Sequence, residues 1–410
     1  MLHWISNSRV SLQRLGFCKL AIVLCDKCHS RSELADKVRP ILEKSEPIPM
    51  GPEIIEWLNS RPKKKKNLQG NNLRITNRQD YWLFKHPNQT GRLSELAFNE
   101  YFNDIGLPFI LGLLDEDCRK TSLGNLLMVL QDADDKDMLW EPPKNPITLS
   151  KRDQTLFMLS LLKKDGDLLI PFMHALANRF GLDTFSYREA GELLPEIMEG
   201  ILKKFANVVG TSSDRAEYNS LKAARAKIME NIEKRVETQG FGSRREQTVV
   251  PRLEWLVDLG ILIRTEGQKY RYSLCTRSQM FTERLYSSYI DTADKGYIDE
   301  AVDKTLDSHF MGIIYQLLYE SEGKETQVED IIRFLSPAYS EFSNMTGYCV
   351  VRPLLLLSHI KKWDKGESPL LEYDQTIKLL EEAYQQNPDD FYFTTTRFGE
   401  DYQIKIDNIK

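Results

Sequence analysis

Residues 248–274 read TVVPRLEWLVDLGILIRTEGQKYRYSL, and the hydrophobic period changes partway along. Val249, Leu253, Leu256 and Val257 recur at helical spacing with Pro251 in the first turn, so the first half predicts a helix with one buried face. Gly260 follows the last periodic residue, the place where a left-handed glycine stops a helix. Beyond it, 261–264 and 270–274 flank Gly267 as two strands flank a tight turn. A helix running into a hairpin is expected here.

The same order of signals occurs twice more. Around LCDKCHSRSELADKV, residues 24–38, Phe17, Leu20, Ala21, Leu24, Cys25 and Cys28 form one apolar stripe of a helix over 12–28. Ser30 or Ser32 then caps a second helix whose buried face is Leu34, Val38 and Ile41 or Leu42. A third helix is expected over 52–60, followed by strands at Leu73 to Ile75 and 81–84 that reverse at 77–80. Near the C-terminal end, FYFTTTRFGEDYQIKI, residues 391–406, reads as a hairpin turning at 397–401, with helices upstream at 306–319, 327–335 and 350–361. The third helices carry similar strings: PEIIEWL from Pro52, VVPRLEWL from Val249 and VVRPLLLL from Val350.

Three helices followed by a hairpin resemble the winged-helix superfamily. The fold class expected is therefore mainly α with small β-hairpins (α+β), as tandem winged-helix domains with helical insertions. Four segments follow: a basic winged-helix domain at 1–92, a helical segment with an acidic, proline-rich linker at 93–146, a second winged-helix domain at 147–280 and a third winged-helix-like domain at 281–410. The charged helical stretch at 212–239 and the helix at 373–386 are read as insertions, of the kind that builds a partner or domain contact.

The N-terminal CxxCH, Cys25 to His29, has the form of a haem-attachment motif. Its cysteines fall on the apolar stripe, and Cys18, Cys25, Cys28 and His29 lack a second CxxC or paired histidine for zinc, so they read as small hydrophobes. Six cysteines in 410 residues suit a reducing cytoplasm better than a disulfide scaffold. The apolar run from Phe17 to Cys25 is broken by Lys19, and no stretch reaches the roughly 18 apolar residues of a membrane span. The expected localisation is cytoplasmic, with no membrane partner, metal or cofactor. Asp132, Asp134, Asp135 and Asp137 lack the glycine of a calcium loop and read as linker.

Charge is uneven along the chain. Residues 1–92 hold 17 Lys and Arg against eight Asp and Glu, whereas the remainder holds 38 against 52. Winged helices, by resemblance, lay the third helix in the DNA major groove and the wing along the phosphates. In the first unit Arg61, Lys63, Lys64, Lys65 and Lys66 lie between the third helix and the wing, and Arg74 and Arg78 lie on the wing, a set suited to phosphate contact. Glu53 and Glu56 on the third helix oppose it. In the second unit Arg244, Arg245, Gln247, Thr248 and Arg252 gather at the start of the helix, where base edges would be met, with Lys269 and Arg271 on the wing. Glu254 and Asp258 crowd its far end.

Motifs for catalysis are missing from the sequence: there is no GxxxxGK[ST], HExxH, GxSxG or glycine-rich dinucleotide turn. His174 and His359 sit on apolar helical faces and read as core residues. The expected function is a non-catalytic subunit that binds double-stranded DNA and recruits protein partners through its acidic C-terminal body, as accessory subunits of DNA-processing and anti-phage defence systems do. A protein–protein scaffold using winged helices structurally is the alternative, and a diverged nuclease a third reading.

Overall fold

The computed structural model describes residues 2–6, 15–25, 28–43, 102, 106–130, 149–206, 212–234, 243–265, 270–294, 300–319, 325–326, 328, 330–343, 347–369, 371–386, 388, 391–396 and 401–406. The expected third helix and wing of the first unit and the acidic linker lie outside them. Among the described residues helices dominate, and small antiparallel sheets accompany them, as the sequence predicts.

Helices α1 (Gly16–Leu24) and α2 (Arg31–Glu43) open the chain. The first is shorter than the stripe predicts, but Phe17, Ala21, Cys25 and Cys28 are all buried, as expected of packing residues. Short α3 (Leu107–Ile110) and α4 (Ser122–Val129) follow and pack against α1.

The spine is α5 (Lys151–Phe180), started by a capping box between Ser150 and Asp153 and ended at Gly181 in the left-handed region, φ +54°. It is buried on nearly every face by α7 (Leu194–Phe205), α10 (Thr276–Asp294) and α11 (Ala301–Ser308). After α5 come β1 (Phe185–Ser186), α6 (Tyr187–Glu192), α7 and α8 (Ser212–Glu233). Then α9 (Arg244–Asp258) leads into β2 (Leu262–Arg264) and β3 (Arg271–Leu274). Gly260 stops α9 at φ +73°, and Ile261 donates its N–H back to Leu256 at 2.9 Å. The sheet order is β1-β3-β2, with Phe185 opposite Tyr272 and Arg264 opposite Tyr272 on the other side.

Position 280 falls inside α10, which continues from the second segment into the third. The single helix expected at 306–319 is two, α11 and α12 (Phe310–Leu318). They break at His309 because the Glu372 carboxylate accepts the N–H groups of Met311 and Gly312, at 2.9 and 2.8 Å, and so starts a new helix there. Next are β4 (Glu325–Thr326), α13 (Ile331–Phe342), β5 (Cys349–Val350), α14 (Val351–Trp363), β6 (Ser368–Pro369), α15 (Tyr373–Gln386), β7 (Phe391–Thr395) and β8 (Tyr402–Ile406). β4 pairs with β6 in parallel, and the last sheet has the order β5-β8-β7. The helix that runs into this hairpin is α15, the extra helix that the sequence places between the 350–361 helix and the hairpin. Buried residues from Leu2 to Ile406 form one continuous core.

Candidate nucleic-acid interface

The residues expected to contact bases lie at the start of α9, where a capping box of Ser243 and Glu246 fixes the first turn. That turn meets the N-terminal segment 2–6. The Arg244 guanidinium donates to the Ser6 carbonyl at 2.8 Å, and Arg252 donates to that of Ile5 at 3.1 Å. In return, the Ile5 N–H reaches the Asp165 carboxylate at 2.8 Å, and the His3 N–H reaches Asp167 at 2.7 Å, both on α5.

Arg252 is fully buried. Its Nε and Nη2 form a two-point pair with Asp165, at 2.7 and 2.6 Å, and its Nη1 donates to the Thr248 carbonyl at 2.7 Å. Burial pushes the Asp165 carboxyl up, and Arg252 pulls against that shift. Thr248 is also buried, its hydroxyl returned to the Arg244 carbonyl at 2.8 Å. The stem of Arg245 lies on Gly191 of α6, where even a Cβ would approach its Cγ to 2.8 Å. These three placements correct the sequence reading: Arg245, Thr248 and Arg252 are core groups and do not face a groove. The far end is sealed as well, since buried Glu254 accepts from Arg264 and from the Tyr272 hydroxyl, the latter at 2.6 Å. Covered by α6, α8 and β2, α9 is an internal helix.

Of the remaining second-unit residues, Arg244 and Gln247 are half-buried and Arg271 on β3 is exposed. Lys269 lies outside the described residues. So do Arg61, Lys63, Lys64, Lys65, Lys66, Arg74 and Arg78. On α15 the exposed positions Gln375, Lys378, Glu381, Glu382, Gln385 and Gln386 are neutral or acidic on balance, an unfavourable face for phosphates.

His359 meets the expectation of a satisfied core residue: its Nδ1 donates to the Leu355 carbonyl at 2.9 Å, and its Nε2 accepts from the Leu371 N–H at 3.3 Å. Burial brings its pKa down to about 4. His174 differs, because it is half-buried and stacks on Tyr286 with ring centroids 3.7 Å apart. It lines a cleft between α5, α7 and α10 that sequence reasoning missed. The only sequence signal was Gly200 inside an otherwise strongly amphipathic helix.

No protein-family model, curated protein or solved structure matches the chain.

Proposed function

We propose that the chain is a non-catalytic DNA-binding subunit, in which winged-helix units are fused into a helical body and duplex phosphates are held by the basic residues between Arg61 and Arg78. The observation that carries this reading is the charge division, 17 basic to eight acidic residues in 1–92 against 38 to 52 elsewhere. The sheets support the winged-helix part. In both, a short strand that precedes the helices pairs antiparallel with the last strand of the hairpin, β1 with β3 and β5 with β8. With α9 internal, base readout by the second unit drops out of the proposal, and the contact becomes chiefly one to the backbone. The acidic body would recruit a protein partner, as an accessory component of a DNA-processing or anti-phage defence system in the cytoplasm.

A scaffold reading has its own support in the burial of α9, which uses a helix of this position purely for packing. Duplex binding across a salt titration separates the two. The DNA reading expects log affinity to fall with log salt at about −0.9 per phosphate neutralised, and the slope to shrink by three to four such steps when Lys63, Lys64, Lys65 and Lys66 are changed to Glu. Absence of binding at low salt would remove it and leave the scaffold.

A further inference from the structure

The cleft between α5, α7 and α10 encloses about 460 Å³, within the size range of small-molecule sites. Three features of its wall are unexplained by packing. The first is Gly200. It sits mid-helix in α7, where only proline is a poorer helix former, yet a Cβ built there meets nothing within 4 Å. Packing does not require the glycine; it keeps the cleft open.

The second feature is the His174–Tyr286 pair, parallel to within 9° at 3.7 Å. Burial draws the imidazole pKa down, so the pair is a neutral platform of the kind on which a planar ring stacks. Beside it the Asn178 amide nitrogen lies 3.1 Å from His174 Nε2 and 3.4 Å from Nδ1, and its amide oxygen is left to accept from the amino group of an adenine.

The third is Lys204. Its ammonium lies over the Tyr289 ring at 5.0 Å, partly desolvated, and no carboxylate among the described residues is within ion-pair distance. Asp294 and Asp167 act on it only from further away. Arg179 at the other end of the cleft likewise has no ion pair among the described residues, with Glu196 lining the same end. A half-buried cation facing a cleft suits an anion. From Pro171 to Asn178, both of which line the cleft, α5 rises about 10 Å, room for a base and a phosphate along it.

We propose that this cleft binds an adenine nucleotide, the base against His174 and Tyr286 beside Asn178 and the phosphate at Lys204. The unit recognised is a nucleoside monophosphate, supplied either free or as the 5′-phosphorylated end of a strand. The site is separate from the basic segment and does not rest on duplex binding.

Calorimetric titration of the full chain with AMP and, separately, with 5′-phosphorylated hexadeoxyadenylate tests it. Gly200→Leu fills the cleft while improving the helix, so the variant keeps its fold, as its thermal melt will verify. At least one probe binds the wild-type chain; Gly200→Leu weakens it tenfold or more and Lys204→Gln several-fold, while the Lys63–Lys66 charge reversal leaves AMP binding unchanged. Binding of AMP identifies a free nucleotide, and binding of the oligonucleotide alone identifies a strand end. The proposal is overturned if neither probe binds at millimolar concentration. It is overturned equally if binding survives Gly200→Leu, or if it is lost only on reversing the lysine charges.

Discussion

Helices α9 and α15 hold equivalent positions, each running into the hairpin of a three-stranded sheet, yet their surfaces are opposites. α9 carries the arginines that suit DNA and hides them: Arg252 is fully buried and Arg245 lies against α6. α15 exposes a face, but that face carries Glu381 and Glu382. The difference comes from what covers each helix. The segment 2–6 and α8 close over α9, while among the described residues α15 packs chiefly on α11, α13, α14 and β7 and keeps one face exposed. Topological position therefore does not decide use; the charge that could reach phosphate is the charge left outside the cover.

The largest effect follows from the cover itself. Arg252→Met leaves Asp165 buried with no countercharge, and removing one member of a buried pair costs about 3–5 kcal/mol. Urea denaturation measures it. The double variant Arg252→Met with Asp165→Leu removes both charges and recovers most of the loss. A single variant that melts within about 1 kcal/mol of wild type would break the comparison, since α9 would then be free of its cover.

Both units bury an arginine against a carboxylate, Arg252 with Asp165 on α9 and Arg352 with Asp307 on α14, but α14 adds a group whose titration pH can read. It is the neutral His359, pressed between Phe334 and Trp363. With its folded pKa near 4 against 6.5 unfolded, His359 binds more protons when unfolded throughout that window. Its contribution is complete above pH 6.5 and is lost as pH falls toward 4, up to roughly 3 kcal/mol. Glu372, raised by burial to about 7, has the opposite sign: its folded form holds the proton longer, so stability falls as pH rises from 4.5 to 7. His359→Gln keeps a donor and an acceptor in place and removes only the first slope. The expected result is a stability curve that no longer drops between pH 6.5 and 4 relative to its own value at pH 7. An unchanged drop would assign the acid limb to other groups.

What the sequence made legible was local. Gly260, the change of period after it and the 373–386 helix all appear where the pattern places them, because each depends on neighbours within a few residues. The partners that redirect function are distant. Arg252 reads as a surface charge until Asp165, 87 positions away, is folded onto it. The His309 break depends on Glu372, 61 positions from Met311. The α5 spine was hard to see for a related reason: a helix buried on nearly all sides loses its polar face, and Asp165, Asp167 and Pro171 interrupt what apolar period remains. The cleft draws its residues from three helices, so no spacing in the chain announces it.

The smallest effect tests whether any DNA contact survives on the second unit. Arg271 is the exposed one among the described residues of the expected set, on β3 opposite Ser186, with its charge outside the cover that hides α9. Arg271→Ala should shift stability by less than about 0.5 kcal/mol, as surface changes do. If the wing touches a phosphate, the salt slope of duplex binding falls by about one, uniformly across sequences. A control on the last hairpin is the exposed Tyr392 of β7, paired with Lys405: Tyr392→Ala removes area without removing charge. A slope change for Arg271 alone sharpens the contrast between the hairpins into one of charge. Equal, null effects would place the whole electrostatic contact on the first 92 residues, and the two described hairpins would then serve only to hold their helices.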